Sequence, residues 1–220
     1  MVHGEDTSRG LKNIDKIIKI LKKRYKTNLK NSKFKDPFKV LISTVLSQRT
    51  RDENTVKTSE KLFSVYSTPY EIINADEKEI QFLIKKSGFY KVKAKRIKEI
   101  SKILVENYNG KVPQKISDLL SLPGVGRKTA NCVLVFAYGK NAIPVDTHVH
   151  RISNRIGLVK TKTPEETEKE LIKKIPKKFW KDLNFLFVKF GKEICLPRKP
   201  RCYDCLIKEF CNYHKLLSHD

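Results

Sequence analysis

A chain of 220 residues, 39% of them hydrophobic, has material for one large or two small packed domains, and wholesale disorder is excluded. Lysine and arginine number 47 against 24 acidic residues, a formal net charge of +23; so one-sided an excess opposes compaction unless a polyanion compensates it, whereas a thermophile's ion-pair surface enriches both signs, so nucleic acid is the expected partner. There is no apolar run of membrane-spanning length and no signal-peptide pattern in MVHGEDTSRG, so the chain reads as a soluble intracellular protein.

Nearly every segment has helical periodicity. Ile14, Ile17, Ile18 and Leu21 form one apolar stripe. Residues 37–47, PFKVLISTVLS, read as a buried helix. Asp76 and Glu79 have the D-x-x-E spacing of a capping box before IQFLIKK, and Gly88 is expected to end that helix. Residues 90–107 read as a basic amphipathic helix closed by Asn109-Gly110. KISDLLSL, residues 115–122, is a short helix that Pro123-Gly124-Val125-Gly126 cannot continue. GRKTANCVLVFAYG follows as a second helix ending at Gly139, which makes a helix–hairpin–helix. Asp146 opens DTHVHRISNRI, closed by Gly157. Thr163-Pro164-Glu165-Glu166 supplies a cap, a proline at the first helical position and a capping glutamate. A last long helix covers residues 177–190 and is expected to stop at Gly191. No pair of alternating runs makes a strand hairpin, so the fold class is all-α, with about nine or ten helices on short turns.

The hairpin is the first candidate site. Gly124 and Gly126 allow positive φ and remove side chains from the turn. The amides of Gly124, Val125, Gly126 and Arg127 are expected to bind a DNA phosphate, a contact without sequence information. Lys128 lies in the first turn of the new helix, where the helix field and partial burial both disfavour its ammonium form. A free amine is what a nucleophilic lysine needs. Asp146 is a preferred N-cap residue, and a capping carboxylate is held rigidly and can point one oxygen into a cleft.

Four of the five cysteines, Cys195, Cys202, Cys205 and Cys211, have the spacing C-x6-C-x2-C-x5-C. In an intracellular chain that clustering suggests a metal centre, and four thiolates without histidine suit zinc or a cubane iron–sulfur cluster. The loop LPRKPR inside it would display Arg198, Lys199 and Arg201 to phosphates. Cys132, in an apolar helix, reads as a small core residue.

LPGVGRKTA followed by VDTHVHRISNRIGL resembles the helix–hairpin–helix DNA glycosylases with a Gly/Pro-rich loop and an aspartate, and among them the endonuclease III family; the likeness runs from about Pro37 to Cys211. It implies a bifunctional glycosylase and AP lyase for oxidised pyrimidines in double-stranded DNA, working as a monomer in a prokaryotic cytoplasm, on the nucleoid. It implies two closely packed helical domains with a DNA cleft between them. A central domain would cover residues 30–140, and a second, residues 141–220 with a helix from 1–29, would carry a [4Fe-4S] cluster on the four cysteines. It gives Lys128 the attack on the sugar and Asp146 its assistance. The family fills the gap left by the extruded nucleotide with a glutamine. An ungapped comparison places Arg49 there, with Gln48 beside it, so both are candidates. His148 is a phosphate candidate, and His150 is equally a packing residue. Two other functions compete. A monofunctional mismatch glycosylase would lack Lys128 and carry a further C-terminal domain, and a non-catalytic DNA-binding module would use the hairpin and a structural metal.

Overall fold

The structure, a computed structural model, describes residues 11–26 and 35–217. Among these residues every regular element is helical, as expected, with twelve α-helices where the sequence suggests about nine or ten. In chain order they are α1 (Ile14–Tyr25), α2 (Pro37–Ser47), α3 (Asp52–Phe63), α4 (Pro69–Asn74), α5 (Glu77–Leu83) and α6 (Tyr90–Tyr108). There follow α7 (Ile116–Leu120), α8 (Arg127–Phe136), α9 (Thr147–Arg155), α10 (Pro164–Lys174), α11 (Trp180–Glu193) and α12 (Asn212–Leu217). Two compact units divide the chain, Ser32–Lys140 and Met1–Asn31 with Asn141–Asp220. The expected domain boundary at residues 29–30 lies outside the described residues, as does the polar segment 1–10.

In the Ser32–Lys140 unit, α2 is the centre, packed on α3, α6 and α8. Its start is fixed by the Asp36 side chain, which accepts from the Lys39 amide at 2.9 Å, and by Pro37 at the first position. Leu41, Ile42, Val45 and Leu46 are wholly buried, so this helix hides nearly its whole circumference. α4 and α5 lie on α6, and α7 lies on α8.

Two readings change here. Asp76 does cap α5, through the Lys78 amide, but the Glu79 carboxylate accepts from the Tyr66 hydroxyl at 2.7 Å instead of closing a box. The reciprocal box is at Thr68 and Glu71, which open α4. Gly88 is not the end of α5, which stops at Leu83. A Cβ on Gly88 would lie 2.6 Å from the Arg49 carbonyl oxygen, so the glycine permits a close approach of two turns.

In the other unit, α11 packs on α1 and α9, and α10 packs on α9. Ile17, Ile18, Leu21, Ile152, Leu183 and Phe187 anchor its core. The long helix expected over residues 177–190 begins with a 3-10 turn, Lys177–Phe179, and Gly191 lies inside α11 rather than after it. A Cβ there would meet His148 Nδ1 at 2.5 Å, so this glycine leaves room for side chains of α9 against α11. Among the described residues no helix is long and apolar enough to cross a membrane.

Candidate active site

The hairpin joins α7 to α8. Gly124 has φ +72°, so glycine is favoured by torsion, and a Cβ on it would come 2.8 Å from Arg96 Cδ and displace that side chain. Gly126 is extended, and a Cβ there would meet nothing within 4 Å. Its use is the unobstructed approach it leaves to the backbone. Val125 departs from the expected amide cradle: its side chain is buried and its N–H donates to the Leu122 carbonyl at 3.1 Å. It holds the turn from inside.

Among the described residues no side chain caps α8, so its positive end faces outward through Gly126 and the half-buried Arg127 and Lys128. The following residues, Thr129 to Val135 with Cys132 among them, are all buried and fix the helix.

Asp146 caps α9. Its Oδ1 accepts from the His148 and Val149 amides, each at 2.9 Å, and among the described residues Oδ2 has no protein hydrogen bond. The connector before it is pinned by the buried Asn184, whose Nδ2 donates to the Pro144 carbonyl at 2.9 Å. His148 Nδ1 lies 3.2 Å from Arg151 Nη2. His150 is a packing residue, its Nδ1 bonded to Thr167 Oγ1 at 2.6 Å. Lys128 belongs to the Ser32–Lys140 unit and Asp146 to the other.

The four cysteines carry no disulfide and all line one pocket, with Ile156, Phe190 and Ile207 supplying apolar walls. Burial, reinforced by the neighbouring thiols, pushes the Cys205 thiol up to about 11 and raises Cys202 and Cys211 as well. Among the described residues no three such groups stand at ligand spacing around one point. The donor set, four thiols with apolar cover, nevertheless suits a soft metal centre, which would displace their protons.

Two arginines that sequence reasoning missed bind this segment to α9. Arg151 donates to the Cys195 carbonyl at 2.8 Å and to the Gly191 carbonyl at 3.2 Å. Arg155 donates to Cys195 Sγ at 3.4 Å, the Leu196 carbonyl at 2.6 Å and the Pro197 carbonyl at 2.9 Å. Arg198, Lys199 and Arg201 are exposed on the loop so held, with Lys199 at φ +49°.

After α2 the chain turns sharply, with Arg49 at φ +50°. Gln48 Nε2 donates to the Gly124 carbonyl at 3.0 Å and reaches Thr129 Oγ1 at 3.4 Å. Arg49 is exposed, and its guanidinium lies 5.5 Å from the ring centroid of the exposed Phe89. The two candidates for gap filling thus differ: Gln48 braces the hairpin, and Arg49 is presented outward.

Residues 42–177 match the HhH-GPD superfamily of base excision DNA repair proteins. Endonuclease III of Thermotoga maritima is 54% identical over 202 residues, covering 92% of this chain and 93% of its own. A trapped covalent endonuclease III–DNA intermediate superposes with a TM-score of 0.84 at 34% identity, covering 94% of this chain and 98% of the other. A thermostable thymine-DNA glycosylase superposes with a TM-score of 0.82 at 27% identity, covering 96% of this chain and 100% of the other.

Proposed function

The chain belongs to the HhH-GPD superfamily of base excision DNA repair proteins and within it to the endonuclease III family, and on that premise we propose that it is a DNA glycosylase and AP lyase for oxidised pyrimidines and abasic sites in double-stranded DNA. The observation that carries the reading to residues is the pair of helix starts. One presents a lysine at an uncapped N-terminus, and the other a rigid carboxylate whose Oδ2 has no protein hydrogen bond among the described residues.

Lys128 Nζ attacks C1′ of the deoxyribose and the base leaves with the bonding pair. The sugar ring opens to a Schiff base on Lys128. Loss of a C2′ proton then expels the 3′ phosphate by β-elimination. Asp146 assists the amine and stabilises the positive charge that develops on the sugar. The amides at Gly124, Gly126 and Arg127 and the side chains of His148, Arg198, Lys199 and Arg201 anchor phosphates. Arg49 fills the gap left by the extruded nucleotide, while Gln48 holds the hairpin.

Cys195, Cys202, Cys205 and Cys211 hold a [4Fe-4S] cluster, which their common pocket and the thiol-only donor set support. When bound, the cluster closes the loop covalently and stiffens it; no step of excision runs through it. The bacterial endonuclease III relatives support the cytoplasm, at the nucleoid, as its place of work.

The test is borohydride trapping on a panel of duplexes carrying thymine glycol, dihydrouracil, uracil, oxidised guanine, a G·T mismatch or an abasic site. Covalent capture on the oxidised pyrimidines and the abasic site is expected. Excision without capture would identify a monofunctional glycosylase, and neither would leave a binding module.

A further inference from the structure

Lys93, the fourth residue of α6, is 2% exposed, and its ammonium has no carboxylate partner among the described residues. Its Nζ is surrounded by four neutral oxygens. Its three N–H bonds are shared among the Leu46 carbonyl at 2.8 Å, the Gln48 carbonyl at 2.5 Å, and the hydroxyls of Thr50 and Ser87, both at 2.9 Å. Burying a charge without a counter-charge is costly, and an apolar residue here would extend the core made by Ala94 and Ile97. What no apolar residue can do is gather oxygens from two separate turns. Leu46 is in the last turn of α2, whose final carbonyls have no partner within the helix and favour a cation. Gln48 and Thr50 flank Arg49 in the turn that follows, and Ser87 belongs to the turn between α5 and α6.

The same turn is fixed on its other sides. Gln48 Nε2 donates to the hairpin at Gly124. The Gly88 amide donates to Thr50 Oγ1 at 3.1 Å, and Gly88 is the only residue type that fits beneath the Arg49 carbonyl. With the backbone of 48–50 held from below by Lys93 and its Gln48 side chain held by the hairpin, the Arg49 side chain is what remains to be presented.

We propose that Lys93 is a positioning residue for base extrusion: its ammonium locks the Gln48–Arg49–Thr50 turn onto the hairpin so that Arg49 enters the vacated stack in one conformation. The inference rests on the base-excision reading above. It assigns Lys93 no contact with DNA and no part in the bond-making steps.

A duplex substrate needs a gap-filling side chain and a single-stranded one does not. Lys93→Met keeps length and removes every donor. It is expected to lower the single-turnover cleavage rate at an abasic site in duplex DNA by roughly 10²-fold, the scale of a small misplacement at a reacting site. The rate on the same abasic site in single-stranded DNA should stay within about threefold of wild type. Adding Arg49→Ala to Lys93→Met should then cost far less than Arg49→Ala alone, because the two act through one turn. Equal losses on both substrates, or fully additive losses, would reduce Lys93 to a structural role and overturn the proposal. If Lys93→Met does not fold, Thr50→Val, which removes one acceptor and keeps the shape, carries the same comparison with a smaller loss. A wild-type protein that cleaves neither substrate would sink the AP-lyase reading on which the inference rests, independently of Lys93.

Discussion

Gln48 Nε2 donates to the carbonyl of Gly124 at 3.0 Å, which makes the turn after α2 and the turn before α8 one hydrogen-bonded piece. The amide that binds the hairpin is therefore not available to DNA in this arrangement, and the lysine three residues beyond Val125 starts from a braced helix. Lys128 owes its placement to this brace and to the buried run from Thr129 to Val135.

Lys128→Gln removes the amine and keeps much of the length and polarity. Borohydride trapping and strand cleavage are expected to disappear, while binding to damaged duplex measured by gel shift stays close to wild type, because the phosphate anchors are untouched. Trapping that survives would move the nucleophile to another lysine.

Asp146→Asn separates capping from catalysis. Asparagine caps about as well as aspartate, so both amide bonds to Oδ1 can be kept and the melting temperature should barely move. Base excision should slow by roughly 10²-fold or more, on the scale of one lost charge-stabilising group. Full activity in this variant would leave Asp146 as a cap alone.

The metal centre predicts a yellow-brown protein with visible absorbance from thiolate-to-iron charge transfer and four irons per chain. Replacing Cys202 or Cys205 by serine should remove the colour and release the loop that carries Arg198, Lys199 and Arg201, read as faster proteolysis between residues 195 and 211. Colourless, active protein with one zinc per chain would replace the iron assignment.

Gly191→Ala tests the crossing of α9 and α11. The new methyl would meet His148 Nδ1 at 2.5 Å and Arg151 Nη2 at 3.0 Å, so both side chains must shift. Overpacking of this kind costs about 1–3 kcal/mol, and the urea midpoint should fall accordingly. An unchanged midpoint would mean that the two side chains yield freely.

Lys93 also predicts a pH dependence of stability. Burial, and after it the charge of Arg96, push its ammonium down to about 8. The folded protein therefore loses this proton at lower pH than the unfolded chain. Below about pH 8 both states hold the proton and the cost of burial is felt in full. Between about pH 8 and 10.5 the unfolded state binds more protons, so the cost falls away as pH rises. Relative to Lys93→Met, wild type should gain stability between about pH 7 and about pH 10, read from denaturant midpoints. A constant difference would deny the shift.

The helices that can be read in the sequence are those with a continuous apolar run or a distinct start. PFKVLISTVLS is bounded by Asp36-Pro37 and matches α2 to the residue. Asp146 and Thr163 announce α9 and α10 by their caps. α3, DENTVKTSEKLF, escapes because Leu62 and Phe63 are its only buried large apolar side chains. α4 escapes although Thr68-Pro69-Tyr70-Glu71 repeats the signal that marks α10, because six residues are too few for a period to emerge. The site divides the same way. Lys128, Asp146 and the cysteines stand in patterned surroundings. Lys93 does not: in YKVKAKRIKEI nothing local distinguishes the buried lysine from its solvated neighbours, since the four oxygens it meets come from residues 46, 48, 50 and 87. Arg151 and Arg155 are hidden for the same reason, their partners lying some forty residues away.

Those two arginines limit how far the cysteine segment can be treated as a separable module. Its opening carbonyls at Cys195, Leu196 and Pro197 are held by side chains from α9, and not by bonds within the segment. A graft of residues 195–211 onto another scaffold would take the thiols and leave behind the donors that orient them. To move the centre intact, a designer would have to transplant the helix that Asp146 begins, and with it the carboxylate at its head.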